Sequence, residues 1–174
     1  SSAASDVYKR QTITIYPSPY EGTLRRCNTS DRQFYVYLPE DYSEVGSSYP
    51  AMFSLHGYTS TALTNMSYTG FMKQADINDF VVVYPQGLVH ETKGGTHWNT
   101  DEIGPGNSVN SIEFLESVLD WVGQNYNIDL NRFYSAGMSN GGFMSYHLAC
   151  NITSKISAIA SVTGSMSVFS YDNC

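Results

Sequence analysis

Five consecutive residues carry the clearest chemistry in this sequence, Gly137-Met138-Ser139-Asn140-Gly141. They match the pattern Gly-x-Ser-x-Gly, in which a sharp turn from a strand into a helix exposes the serine. Gly137 and Gly141 remove side chains that would collide at such a turn. A β-rich run, Arg-Phe-Tyr-Ser-Ala, precedes the motif, and a helical pattern follows it. The sequence therefore predicts that Ser139 is a nucleophile, and the alternative is a glycine-rich turn with an inert serine.

A nucleophilic serine also needs hydrogen-bond donors for the oxyanion that develops on its substrate. We expect one donor to be the backbone N–H of Asn140, directly after the nucleophile at a helix start. The other should come from the loop at 55–60, which follows an earlier strand. There the N–H of Tyr58 is the preferred candidate, and that of Thr59 is an alternative. His56, in the same loop, is interpreted as a core or loop histidine rather than a base.

The elements that must position these residues alternate between strand and helix. The patterns predict strands at 12–16, 32–39, 51–57, 80–87, 132–137 and 156–164, and helices at 63–78, 108–126 and 140–150. The segment 88–107 is predicted to be a long loop. From residue 51 onward the alternation indicates an α/β sheet with crossover helices, in one domain that spans residues 12–174.

Several blocks of the chain, taken in order, resemble a known family. They include RQFYVYLP, SLHGYTS, ADINDFVVVYPQG, HWN and YNIDLNRFYSAGMSNGGF. Over residues 12–174 the chain resembles the polyhydroxybutyrate depolymerase and feruloyl or acetylxylan esterase group of α/β-hydrolases. The resemblance implies an α/β-hydrolase fold, with a mostly parallel sheet and helices on both faces. It also implies that Ser139 is the nucleophile and that Tyr58 and Asn140 are the oxyanion donors. Trp98 would line the acyl pocket or serve simple packing.

Members of this group are typically secreted serine esterases without a cofactor or metal. The resemblance therefore implies an ester substrate, either a polyester or the acyl groups of plant cell-wall polysaccharides, and an extracellular location. This sequence departs from the group at one place. Family members often carry paired aspartates before the helix predicted at 108–126, where this chain has Asn107 and Asn110.

The base and the acid that would activate Ser139 are not evident. The chain order in this fold is Ser, then Asp or Glu, then His, and only His147 and Asp172 follow Ser139. His147 lies about 12 Å along the predicted helix and is interpreted as a packing or surface residue. Asp172 precedes no histidine. We therefore expect both partners to lie beyond residue 174, so that the domain is incomplete at its C-terminus, exposes an apolar strand edge and is inactive as a fragment.

Two histidines of the long loop, His90 and His97, offer a weaker alternative. A base from this loop would break the chain order of the family. The two could also form a metal pair, but no carboxylate or thiol pattern supports one. No metal is therefore expected.

Composition excludes other classes. The net charge of −7 argues against a nucleic-acid partner. The sequence contains no run of about 18 apolar residues, the length that a membrane-spanning helix needs. Residues 1–11 are interpreted as a non-native scar or a disordered tail. The three cysteines leave one unpaired. Their pairing is open, and Cys174, the final residue, is interpreted as having lost its partner.

Two other functions remain open. One is a serine peptidase of the same fold, which the esterase-like blocks disfavour. The other is a non-catalytic relative in which the serine motif is a relic and the aromatic loop binds polysaccharide. The sequence does not decide which acyl group is cleaved.

Overall fold

The computed structural model describes residues 12–29 and 31–174, so the predicted tail at 1–11 lies outside the described residues. The strands are β1 (Thr12–Tyr16), β2 (Thr23–Asn28), β3 (Gln33–Leu38), β4 (Tyr49–Leu55), β5 (Val81–Pro85), β6 (Leu88–Val89), β7 (Thr96–His97), β8 (Ile128–Met138) and β9 (Ala158–Val162). The helices are α1 (Ala62–Thr69), α2 (Phe71–Asn78), α3 (Ser111–Asn125), α4 (Asn140–Asn151) and α5 (Val168–Asp172). None of the helices in the described ranges is long and apolar enough to cross a membrane.

The main sheet has the strand order β1-β2-β3-β5-β4-β8-β9. Strands β5, β4, β8 and β9 pair in parallel, whereas β1, β2 and β3 form an antiparallel extension that also pairs antiparallel with β5. A parallel pair needs a crossover connection, and the crossover helices α1 to α4 lie between these strands in the chain. The α/β fold predicted from the alternation is confirmed.

Helices cover both faces of the sheet and create two separate cores. On one face, α3 and α4 share a core with alternate residues of β3 that include Phe34, Val36 and Leu38. On the other face, α1 and α2 pack against the intervening residues Tyr35 and Tyr37. Successive side chains of a strand point to opposite faces, so a strand buried on both sides is apolar at nearly every position.

Several elements differ from the predictions, among them helix α5, which was not predicted. Strand β2 was not predicted, because the pair Arg25–Arg26 reads as a polar stretch; in the structure the Arg25 guanidinium lies over the Tyr126 ring, 5.3 Å from its centroid. The predicted helix at 63–78 is two helices, because Gly70 has φ 66° and ends α1 there. The predicted loop at 88–107 contains a short hairpin of β6 and β7.

The expectation that Cys174 had lost its partner is wrong. Cys174 forms a disulfide with Cys150 and so fastens the chain after α5 to the end of α4. The free cysteine is Cys27, which is fully buried, and burial raises the pKa of its thiol to about 12. An unreactive thiol is the expected consequence, because the thiolate is the nucleophilic form.

Strand β9 lies at the edge of the main sheet. Its residue Val162 is 55% exposed, and the neighbouring Tyr134 and Met138 of β8 are also exposed. This corner of the sheet, which α1 and α2 do not cover, therefore presents an apolar surface.

Candidate active site

Ser139 occupies the junction between β8 and α4, where its backbone is strained. Its φ of 53° and ψ of −119° lie in a region that L-residues rarely adopt. Its N–H donates to the carbonyl of Val162 on β9 at 2.8 Å, which holds the turn against the sheet edge. Across the described ranges the structure gives no hydrogen bond to its Oγ. The serine therefore stands at a strained turn with its hydroxyl uncommitted.

The two glycines of the motif allow the backbone to fold back on itself. A Cβ on Gly137 would lie 2.3 Å from the carbonyl carbon of Gly141. A Cβ on Gly141 would lie 2.2 Å from the carbonyl oxygen of Leu55 at the end of β4. Because these contacts are to backbone, no side-chain movement could relieve them. The close approach requires glycine at both positions and seats the first turn of α4 on the end of β4.

The loop after β4 lies directly against this turn. A Cβ built on Gly57 would be 3.7 Å from the Cβ of Ser139. Thr59, the alternative oxyanion donor, has its N–H committed to the carbonyl of Thr96 at 2.8 Å. No acceptor for the N–H of Tyr58 is found among the described residues. The N–H of Asn140, at the first position of α4, has no partner within the helix.

The side chain of Asn140 makes a two-point contact with Trp98. Its Oδ1 accepts a hydrogen bond from the Trp98 backbone N–H at 2.7 Å, and its Nδ2 donates to the Trp98 carbonyl at 3.0 Å. The start of α4 is thereby tied to the segment that follows β7. The prediction for Asn140 concerned only its backbone N–H, and nothing in the motif points to this second contact.

His56 connects three segments behind the site. Its Nε2 accepts from the N–H of Gly87 at 2.9 Å, so Nδ1 must carry the proton that it donates to the Gly57 carbonyl at 2.8 Å. The ring is fully buried, and this burial lowers its pKa. A neutral histidine with both nitrogens engaged holds the loop in place. Its contacts fit the core or loop role interpreted from the sequence.

Trp98 is 1% exposed and belongs to the core on the α3 and α4 face. Its indole N–H donates to the His56 carbonyl at 2.9 Å, and the two rings lie 4.9 Å apart. Packing therefore accounts for most of its surface, although it also borders a cleft beside Asn140. A role for Trp98 in lining an acyl pocket stays a prediction.

The hairpin of β6 and β7 holds the loop that carries the candidate oxyanion donor. The Tyr58 hydroxyl donates to the Gly94 carbonyl, and the Thr96 hydroxyl donates to the Ser60 carbonyl. Tyr58 itself is 42% exposed. These hairpin residues were missed at the sequence level, because a contact between two loops leaves no periodic signal.

The remaining histidines do not contact Ser139. His147 is buried on α4, where its Nδ1 lies 2.7 Å from the Ser170 hydroxyl of α5, and burial lowers its pKa. The rings of His90 and His97 pack against each other at 4.6 Å in the hairpin region. Asp172 is exposed at the end of α5. Within the described ranges no group of three or more His, Cys, Asp or Glu residues is arranged to hold a metal ion.

The two asparagines that stand where family members often carry aspartates both make side-chain hydrogen bonds. Asn110 caps α3, with its Oδ1 accepting from the N–H of Glu113 at 3.0 Å. Asn107 donates from Nδ2 to the Oδ1 of Asn99 at 2.9 Å. An amide oxygen caps a helix as well as a carboxylate does, so the substitution keeps the start of α3 intact.

With this geometry established, comparisons with known proteins decide the family. A family model described as "Putative esterase" matches residues 27–169. The chain belongs to this putative esterase family. A bifunctional acetylxylan esterase/xylanase from Neocallimastix patriciarum is 32% identical over 140 residues, which cover 80% of this chain. Feruloyl esterase D of Neurospora crassa is 27% identical over 148 residues, or 79% of the chain.

Solved esterase structures have the same fold as this chain. An acetyl xylan esterase from Aspergillus awamori superimposes with a TM-score of 0.67 at 16% identity over 95% of the chain. The α/β-hydrolase fold is thus confirmed. The chain spans 19% and 47% of the length of the two curated relatives and 56% of the solved structure.

Proposed function

We propose that the protein is a secreted serine carboxylic-ester hydrolase that removes acyl groups from plant cell-wall polysaccharides. The observation that carries the proposal is the strained backbone of Ser139, with φ 53°, at the first turn of α4. The loop of Tyr58 lies beside it. Relatives named acetylxylan esterase and feruloyl esterase support this substrate class. Hydroxybutyrate polyesters stay an untested prediction.

The reaction would proceed through an acyl-enzyme. The Ser139 Oγ attacks the ester carbonyl carbon while a general base takes its proton. Negative charge then develops on the carbonyl oxygen, where the N–H groups of Tyr58 and Asn140 would donate hydrogen bonds. Collapse of this intermediate breaks the bond to the alcohol, which leaves with the proton. Water then hydrolyses the acyl group from Ser139, and the free serine is restored.

The base and the carboxylate that orients it are a separate part of the proposal. Each of the four histidines of the chain has a ring nitrogen hydrogen-bonded to a group other than Ser139. We therefore propose that both partners belong to protein outside these 174 residues. The 174-residue chain alone should then hydrolyse esters at a negligible rate. Purified chain that turns over substrate at enzyme-like rates would disprove this part alone.

Secretion is supported by the disulfide between Cys150 and Cys174. Disulfides persist in oxidising compartments and are rare in reducing ones. Buried Cys27 does not conflict with this location, because a thiol without solvent access is protected from oxidation and exchange.

The decisive experiment compares wild type with Ser139→Ala in the longest polypeptide that contains this chain. We expect hydrolysis of p-nitrophenyl acetate to fall at least about a thousandfold, because the nucleophile is lost while the fold remains. Retained activity in the variant would refute the nucleophile. An inactive wild type that still binds polysaccharide would favour the non-catalytic relative, and preferential cleavage of peptides would favour the peptidase.

A further inference from the structure

Three asparagines of this chain stand in the pattern Asn-x-Ser or Asn-x-Thr: Asn28 (Asn-Thr-Ser), Asn65 (Asn-Met-Ser) and Asn151 (Asn-Ile-Thr). This pattern marks the acceptor of an N-linked glycan on proteins that a eukaryotic cell secretes. A pattern this short also occurs by chance, so the sequence alone does not identify a site. The folded environment of each asparagine decides whether the side chain has room for a glycan.

Asn65 has no such room. It lies on α1 and is 1% exposed, and its Nδ2 donates to the Ser54 carbonyl at 3.0 Å and to the Ser54 Oγ at 2.8 Å. An N-linked glycan is attached through this same nitrogen, and both of its hydrogens point toward β4. A glycan there would push α1 away from the sheet, so the folded protein excludes it.

Asn28 lies within the main sheet. It is the last residue of β2 and is half-buried, and it is paired with Thr12 of β1 on one side and Gln33 of β3 on the other. Ser30, the third residue of its pattern, lies outside the described residues. A bulky glycan belongs on the protein surface, so Asn28 is a poorer acceptor than an asparagine in an exposed turn.

Asn151 has the opposite environment from Asn65. It is the last residue of α4 and is exposed, at the start of the turn that leads toward β9. Thr153, the third residue of its pattern, is exposed as well, and only Ile152 between them is buried. The side chains of both pattern residues therefore face solvent.

The hydrogen bonds of Asn151 are compatible with a glycan. Its Nδ2 donates to the His147 carbonyl at 2.8 Å and lies 3.3 Å from His147 Nδ1. Glycosylation replaces one of the two hydrogens on Nδ2, so the bond to the carbonyl is kept and only the longer contact is given up. His147 Nδ1 still has the Ser170 hydroxyl at 2.7 Å. The end of α4 thus keeps its contacts when the glycan is present.

The position of Asn151 also leaves the candidate active site open. Asn151 follows Ser139 by twelve residues at the opposite end of α4, a distance of about 18 Å at 1.5 Å per residue. A glycan attached there starts far from the serine turn, and so ester hydrolysis should not depend on it.

We propose that Asn151 carries an N-linked glycan when a eukaryotic cell exports this protein, and that Asn65 does not. The inference rests on the secreted location in the proposed function and goes beyond it. The modification forms a bond between the Asn151 Nδ2 and the anomeric carbon of an oligosaccharide. It breaks the bond from that carbon to the pyrophosphate of a lipid-linked donor, which leaves, and Nδ2 gives up one proton.

The test is peptide mapping of the longest polypeptide that contains this chain, secreted from yeast with an added signal sequence. Enzymatic release of the glycan in heavy-oxygen water converts the asparagine that carried it into a labelled aspartate. Trypsin then separates the three patterns, because cleavage after Arg and Lys places them in the peptides 27–32, 33–73 and 133–155. We expect the label in 133–155, assigned to Asn151 by fragment ions, and none in 33–73. Absence of label at Asn151 would overturn the inference, and so would label at Asn65.

Matched variants assign the glycan without altering Asn151 itself. Thr153→Ala destroys the pattern and should abolish the label in 133–155, whereas Thr153→Ser preserves the pattern and should keep it. Ser67→Ala destroys the pattern of Asn65 at another exposed position and should leave the mass of the attached glycan unchanged. A glycan that persists at Asn151 in Thr153→Ala would show that the pattern does not direct it and would refute the assignment.

Failure of this inference differs visibly from failure of the proposed function. Secreted protein that hydrolyses p-nitrophenyl acetate without a glycan at Asn151 refutes the glycan alone. Protein that carries the glycan and hydrolyses no ester refutes the esterase proposal alone. Protein from its own cells with neither the glycan nor the disulfide between Cys150 and Cys174 refutes the secreted location, and the inference with it.

Discussion

The Asn140 side-chain amide pairs with both backbone polar groups of Trp98, at 2.7 and 3.0 Å. The residue after the candidate nucleophile therefore has two contributions. Its backbone N–H is the proposed oxyanion donor, and its side chain holds the segment that follows β7. Through Trp98 this contact reaches His56, whose carbonyl accepts from the indole N–H at 2.9 Å. The nucleophile turn and the loop of Tyr58 are thus held by one continuous set of hydrogen bonds.

Removing this pairing should loosen the site. Asn140→Leu leaves the Trp98 N–H and carbonyl without partners and should lower the free energy of unfolding by about 2 kcal/mol. Asn140→Asp keeps the acceptor, loses the donor and should cost about 1 kcal/mol. Urea unfolding measures both. The control Asn125→Leu removes one exposed hydrogen bond and should stay within about 0.5 kcal/mol of wild type. If all three variants unfolded at the same urea concentration, the pairing of Asn140 with Trp98 would contribute nothing to the free energy of unfolding.

The approach of α4 to β4 should be intolerant of any side chain. Gly141→Ala places a methyl group 2.2 Å from the Leu55 carbonyl oxygen, so the helix start must move. We expect a loss of at least about 3 kcal/mol in the free energy of unfolding, or failure to fold. Gly104→Ala is the matched control, since a Cβ there meets nothing within 4 Å. Thermal unfolding of the two variants gives the comparison, and an unchanged midpoint for Gly141→Ala would contradict the packing described.

The disulfide should contribute strongly to stability. Cys150→Ser opens a cross-link that spans a sequence separation of 24 residues, and loop-closure entropy predicts a loss of about 3 kcal/mol. Calorimetry with and without reductant measures it. Reductant should destabilise wild type and leave Cys150→Ser unchanged.

The same disulfide predicts the thiol chemistry of the folded protein. Native protein should not react with Ellman's reagent, because Cys27 is buried and its thiol has a pKa of about 12. One thiol should appear after unfolding without reductant. Three thiols after unfolding would mean that the pair had not formed.

Acid should destabilise the protein through His56. Burial lowers the pKa of this histidine in the folded state below its ordinary value of 6.5. Between that lowered pKa and 6.5 the unfolded chain binds a proton that the folded molecule does not, so stability rises with pH. The contribution is complete above about pH 6.5 and is lost as the pH falls toward the folded-state pKa.

Equilibrium unfolding measured from pH 5 to pH 8 tests the direction of this change in stability. The range spans about 1.5 units on either side of the ordinary histidine pKa. The decline on the acid side should be shallower in His56→Gln, which removes one titrating group. NMR titration of the folded protein should give the His56 ring a pKa below that of an ordinary histidine. A ring that titrates above 6.5 would contradict the burial and the neutral tautomer.

Much of the α/β layout could be predicted from local patterns. The apolar run of β5, the stripe of α3 and the motif at Ser139 each carry their signal within a few residues. Strand β2 did not, since one of its arginines, Arg25, packs on Tyr126, a residue far along the chain. The break at Gly70 was missed for a related reason: a glycine inside a helical pattern is compatible with continuation, and its φ of 66° is set by the surrounding packing.

The sequence by itself determined the type of fold, the turn that carries Ser139 and the family of the chain, because these depend on periodicity and on residues adjacent in the chain. Only the tertiary structure decided how the turn is held. The pairing of Asn140 with Trp98, the hydrogen bond from Gly87 that sets the tautomer of His56, and the disulfide to Cys174 all join segments distant in sequence. Such contacts depend on side-chain geometry across two elements, and no one-dimensional pattern encodes that geometry.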